Sequence, residues 1–202
     1  MKKRYITAAL SVLAALSMCL CAVSQQRQQH LAEKLIRLHV VANSDTQEDQ
    51  RVKLLVRDAV LRAAADALDG SNDPEAALKE SLPAIEQAAN ETLAALGSGN
   101  TAKVSLRREL FPTREYETFR LPAGVYRSLR VTIGAGEGHN WWCVVFPALC
   151  LPANAEDFEA VCEAAGFTEA EISVLTEDSG EIEVEFKTLE LLGKLKKMFL
   201  DG

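Results

Sequence analysis

The stretch Leu35-Ile36-Arg37-Leu38-His39-Val40-Val41-Ala42, running straight into Asn43-Ser44-Asp45, decides the fold. Its residues alternate. Ile36, Leu38 and Val40 form one apolar face, while Arg37 and His39 turn to the other, which is the period of a β-strand. Asn43-Ser44-Asp45 ends the strand and opens a helix. Ser44 with Gln47, or Asp45 with Glu48, has capping-box spacing. The helix is expected from about Thr46 to Asp69, because Val52, Leu55, Val56, Ala59, Val60, Ala63 and Ala67 recur at helical spacing. Asp49–Lys53 and Asp58–Arg62 are i,i+4 pairs suited to its outer face, and Gly70 stops it.

Further along, Asp73 is a helix cap with Pro74 in the first turn. Pro83 removes a backbone donor and is expected to break or kink this second helix, which resumes from about Ala84 to Leu96 and ends at Gly97. The texture then changes to strands, at Ala102–Glu109, Glu115–Leu121, Val125–Ile133 and Trp141–Phe146, with a turn at Pro122-Ala123-Gly124. The tail reads as a helix at Ala155–Ala165, a strand at Ile182–Phe186 and a basic amphipathic helix at Leu189–Leu200. Helices and strands come in blocks, so the class is α+β: an N-terminal strand and two-helix segment, a mainly antiparallel sheet, then C-terminal helices.

In the other direction the chain begins Met1-Lys2-Lys3-Arg4, and 18 uncharged residues follow from Ile6 to Val23. A basic start before an apolar core is the layout of a secretory signal, and this core is also long enough to be a membrane anchor. Cleavage near Ala22 fits the layout. The Ala-x-Ala pattern is absent, so an uncleaved anchor stays open. The expected organisation is a signal peptide or anchor at 1–23, a polar Gln-rich linker at 24–34 and one α+β domain at 35–202. The full chain has 22 basic residues against 29 acids. Loss of Lys2, Lys3 and Arg4 leaves a net charge of about −10, which argues against nucleic acid and anionic lipid as partners. Membrane contact is then expected only through the N-terminal segment. Outside the cytoplasm Cys143 and Cys150 are readily read as a disulfide, and Cys162 as a buried free thiol in a helix.

Few residues suggest chemistry. Gly134-x-Gly136-x-Gly138 lacks the spacing and the following helix of a phosphate loop, and reads as a turn between strands. His39, His139, Asp45 and Asp49 lack the short paired spacings of a metal site. Cys143 and His139 share the start of one strand, which is poor geometry for a nucleophile and its base. No catalytic residue, metal or cofactor is expected. Two groupings stand out. Arg37 and His39 share a face that runs into Ala42-Asn43-Ser44-Asp45 and Asp49-Gln50, either as a buried hydrogen-bond network or as a recognition patch. Trp141 and Trp142 are adjacent and must point to opposite faces, so that one can fill the core while the other anchors a partner.

Ile36 through Asp45, with Asp49-Gln50, Lys53 and Val56-Arg57-Asp58-Ala59-Val60, resembles the first signature of the stage II sporulation protein R family. Phe111-Pro112-Thr113, Leu121-Pro122-Ala123-Gly124-x-Tyr126, and the run from Gly134 through Asn140-Trp141-Trp142-Cys143 to Pro147-x-Leu149-Cys150 resemble the second. The resemblance covers about Leu35 to Leu151. It implies a signalling ligand made in the forespore and exported into the space between the forespore and mother-cell membranes. There it activates a membrane-embedded aspartic protease that processes the sigma-E precursor. It implies no enzyme. The surface expected to meet that receptor is read from this chain's own residues: Arg37, His39, Asn43, Ser44, Asp45, Asp49, Gly136, Gly138, Asn140, Trp141 and Trp142. The competing classes are an extracytoplasmic envelope hydrolase and a passive envelope domain.

Overall fold

The computed structural model describes residues 18, 19, 22, 26, 28–149 and 155–176. The export segment expected at 1–23 lies almost wholly outside them, as do the strand at 182–186 and the helix at 189–200. Among the described residues no helix is long and apolar enough to cross a membrane.

The fold is α+β, as the block pattern implies. Strand β1 (Ile36–Val41) is followed by helices α1 (Gln47–Leu68) and α2 (Pro74–Ala95). Next come β2 (Ala102–Phe111), β3 (Arg114–Glu115), β4 (Arg120–Leu121), β5 (Gly124–Ile133) and β6 (Asn140–Phe146). The helices α3 (Ala155–Ala164) and α4 (Glu169–Thr176) close the order. Four strands form one mixed sheet in the order β2-β5-β1-β6. β1 runs parallel to β5 and antiparallel to β6, and β2 is antiparallel to β5. The alternating stretch that opens the domain is therefore an inner strand, buried along its whole length.

Each face of the sheet has its own core. On one face Ile36, Leu38 and Val40 join Leu129, Val131 and Ile133 against Val52, Val56 and Val60 of α1 and Leu78, Ile85 and Leu93 of α2. The other face is half apolar. Phe111, Tyr126 and Val144 pack there with Leu31, Leu35, Phe158, Cys162, Phe167 and Leu175.

Several local expectations are corrected. The cap of α1 is Thr46, whose hydroxyl accepts from the Asp49 N–H at 3.2 Å. Ser44 and Asp45 are not the cap, because their side chains are committed elsewhere. Lys53 does not pair with Asp49 on the outside: it is buried. Asp58 pairs with Arg57, at 2.6 Å, and not with Arg62. Pro83 lies inside an unbroken α2. Pro83 and Lys79 are both exposed, so the carbonyl that loses its partner lies on the solvent side, where water can replace the missing bond. Glu115–Leu121 is not one strand but the two short arms β3 and β4, paired Arg114↔Leu121 and Glu115↔Arg120. The stretch expected as a linker is helical at 28–33. Leu31 and Ala32 bury against the second core, and Lys34 pairs with Glu171 of α4 at 2.7 Å.

Candidate partner-binding surface

The registers bring the sequence-predicted residues together in two groups, one inside the sheet and one at its rim. The inner group starts at Arg37, which is fully buried on the half-apolar face. Its guanidinium carbon lies 4.2 Å from the Phe111 ring centre and 5.0 Å from that of Tyr126. Nη2 donates to the Tyr116 hydroxyl at 2.6 Å, and Nε to the Cys143 carbonyl oxygen at 3.5 Å. Among the described residues Nη1 has no hydrogen-bond partner, and no carboxylate pairs with this cation. Burial pushes its pKa down, with the tyrosines opposing. Aromatic faces take the place of a counter-ion here.

Two residues on, His39 sits between strand neighbours. Nε2 meets the Asn140 side-chain oxygen at 2.8 Å, while Nδ1 lies 3.3 Å from Glu109 and 3.1 Å from Arg130. Its ring stacks on Trp142, with centroids 3.8 Å apart and planes at 18°. Burial lowers the His39 pKa from its ordinary 6.5, and the hydrogen bond with Asn140 opposes the change. Burial also works against the Glu109 carboxylate. Hydrogen bonds from its neighbours, those from Arg107 (2.7 Å) and Arg130 (2.9 Å) among them, together with the nearby His39, outweigh that and hold its carboxyl at about 2. None of the partners of His39 is a nucleophile. Arg37 and His39 are thus a buried network rather than an exposed patch, because β1 is an inner strand covered on both faces.

The rim group joins the β1–α1 turn to the β5–β6 loop. The Asn43 side-chain oxygen accepts from Ala135 N–H at 2.9 Å, and its amide donates to Asp49 at 2.9 Å. The Asn43 and Ala42 carbonyls accept from Glu137 and Gly138 N–H at 3.2 and 3.0 Å. Asp45 accepts from the His139 backbone N–H at 2.6 Å and also contacts the His139 ring. That backbone hydrogen bond, first among the causes, lowers the Asp45 pKa. Ser44 and Asn43 donate to Asp49 and lower its pKa. Lys53 Nζ reaches the His139 carbonyl oxygen at 2.9 Å, and burial lowers its pKa.

The glycines follow from this closeness. A Cβ on Gly138 would lie 2.2 Å from the Ser44 carbonyl oxygen. Gly134 has φ +56°, and a Cβ there would lie 2.2 Å from the Asn43 side-chain oxygen. Asn-Ser-Asp and Gly-x-Gly-x-Gly are two halves of one latch. Asp45, Glu137, His139 and Asn140 are exposed on its outside, while Asn43, Ser44, Asp49, Gly136 and Gly138 are partly covered.

The two tryptophans divide as strand alternation demands. Trp141 turns to the helix face, where the Arg57 guanidinium lies 4.4 Å from its ring centre. Trp142 turns to the His39 face and packs edge-on to Phe111. Both are partly buried, so neither is a wholly exposed anchor. Glu109, Arg130 and Tyr116 belong to these networks and carry no signal in the sequence, and Lys53, expected on the outer helix face, belongs to them too. Arg130 lies opposite His39 through the β5–β1 register, and the Glu109 side chain reaches it from β2, neither of which a local pattern reveals.

The Stage II sporulation protein R family profile matches residues 32–156, more than half of the chain and the whole region of both networks. The chain belongs to this family. It is 35% identical over 131 residues to the Stage II sporulation protein R of Bacillus subtilis (strain 168), a match covering 63% of this chain and 58% of that protein. The chain thus spans under two thirds of that family member's length. No solved structure matches the chain. Family membership gives it a role in sporulation. Both halves of the latch lie inside the family match.

Proposed function

We propose that the chain is an exported sporulation ligand. Carried across the forespore membrane by residues 1–23, it acts in the intermembrane space, released or tethered, and switches on a membrane-embedded aspartic protease that processes the sigma-E precursor in the mother cell. Membership of the family over residues 32–156 carries this reading. The latch supports it by presenting Asp45, Glu137, His139 and Asn140 outward on a hydrogen-bonded frame. A ligand shifts a receptor only by binding its active state better than its inactive one, and a preorganised rim does so without an ordering cost.

In this reading Arg37, His39 and the inner side of Trp142 set the shape of the rim, and Asp45 and its neighbours make the contact. The Cys143–Cys150 disulfide belongs to the same reading, since the compartment would permit it. Cys150 lies outside the described residues, and the free thiols among the described residues are Cys19 and Cys162. Burial raises the Cys162 thiol to about 11, which suits an inert core cysteine.

The experiment is an add-back. Cells lacking this gene would carry the protease and a tagged sigma-E precursor, and would express the chain with or without residues 1–23. Cleavage only with the exported form supports the proposal. Cleavage with neither, despite proven export and folding, overturns it.

A further inference from the structure

β2 is one of the two outer strands of the sheet, and among the described residues no strand pairs with its outer edge. Backbone N–H groups on that edge alternate with those bonded to β5. Ala102 N–H donates to the Asn90 side-chain oxygen at 2.8 Å, and Val104 N–H to Glu86 at 2.8 Å. The even-numbered residues therefore face outward. Helix α2 closes the edge at those two positions. The outward N–H groups of Leu106, Arg108 and Leu110 have no such acceptor among the described residues.

The chemistry around this open half-edge differs from the rest of the molecule. The chain carries a net charge of −7. β2 alone holds Lys103, Arg107 and Arg108 against Glu109, a net of +2. Arg107 pairs with Glu109, whereas Lys103 and Arg108 form no ion pair among the described residues. At the far end Leu110 is 74% exposed, beside its register partner Val125 at 50%. Cations alone would serve to guard an edge against self-pairing. An adjoining exposed apolar pair does not serve that purpose, and it offers an added segment apolar surface to cover.

We propose that the free edge of β2 from Leu106 to Leu110 is a strand-addition site for an acidic, extended segment of a partner protein. Main-chain hydrogen bonds to Leu106, Arg108 and Leu110 give it affinity. Carboxylates of the segment meet Lys103 and Arg108, and an apolar residue covers Leu110 and Val125. A second copy of this chain is a poor occupant, because antiparallel self-pairing about Arg108 sets arginine against arginine. This site is separate from the latch and goes beyond the proposed function.

The test follows amide hydrogen exchange in the full-length chain, purified in detergent. The probe is a synthetic peptide of repeated Glu-Glu-Val-Val, which puts a carboxylate and an apolar residue in turn on each face of an added strand, and the control is a Lys-Lys-Val-Val peptide of the same length. The expected result is exchange at Leu106, Arg108 and Leu110 slowed about tenfold by the glutamate peptide alone, with less protection as salt rises. Arg108→Pro removes an outward donor without touching the ladder to β5, and Arg108→Glu reverses the charge. Both should keep the wild-type unfolding midpoint within a few degrees and lose the protection. The proposal is overturned by equal protection from the lysine peptide, by protection persisting in folded Arg108→Pro, or by none at these amides. It is likewise overturned if Arg108→Glu self-associates while the wild type ignores the peptide, since the edge is then only guarded. Precursor cleavage is not the readout, so failure here is distinct from failure of the proposed function.

Discussion

Arg37 and Asp45 lie in one signature stretch yet meet opposite surroundings. Arg37 has no access to water and is held by rings and a tyrosine hydroxyl. Asp45 is exposed and held by the β5–β6 loop at the same rim of the sheet. A run of unusual polar residues in a sequence therefore mixes two roles, keeping a shape and presenting it. The difference matters energetically: a buried cation is costly to disturb, whereas an exposed carboxylate with one loop partner contributes little to stability.

The largest expected effect falls on the inner group. Arg37→Ala leaves a cavity beside Phe111 and Tyr126 and leaves the Tyr116 hydroxyl only its 3.3 Å bond to the Trp142 carbonyl oxygen, and should cost about 3 kcal/mol in denaturant unfolding. Arg37→Met keeps the volume and removes a charge that has no carboxylate partner, so it should stay within about 1.5 kcal/mol of wild type. Equal losses would mean that charge, not shape, is what Arg37 supplies.

Next comes the latch itself. Gly138→Ala forces a methyl against the Ser44 carbonyl, so one loop must move. A loss of about 2 kcal/mol is expected, together with faster amide exchange at Glu137–His139. Gly99→Ala is the control, because a methyl there meets nothing within 4 Å. A similar cost at both sites would break the claim that the latch is held by close approach.

A smaller effect should appear with pH. His39 has a folded pKa below 6.5, so the unfolded chain binds its proton more readily. The stability from neutral His39 is present above pH 6.5 and is lost as pH falls from there through the folded pKa. The groups around it, Glu109, Arg130, Asn140 and Trp142, are those named above. Glu109 adds stability that is present above its ordinary 4.5 and lost as pH falls toward about 2. Thermal midpoints should therefore decline in two stages, and His39→Gln should remove the first alone.

Much of the frame is legible in local pattern. Alternation marks β1, helical spacing marks α1, and strand parity assigns the two tryptophans to opposite faces. What is not legible depends on distant partners. Whether Arg37 and His39 are buried turns on β1 being an inner strand, set by β5 and β6 far along the chain. Asp45 has capping chemistry, but the loop at His139 takes it, and Thr46 caps instead. Leu31 and Leu35 stand four apart, a helical spacing obscured by the polar run before them.

The most direct test of the account compares the two ends of the signature in one cell. Full-length Asp45→Ala and Arg37→Met would each be expressed in place of the wild-type chain, with export, folding and cleavage of the sigma-E precursor followed together. The account predicts that both are exported and folded, that Arg37→Met still triggers cleavage, and that Asp45→Ala does not. Cleavage by Asp45→Ala at the wild-type level, with folded Arg37→Met silent, would contradict it and move the contact surface off the latch.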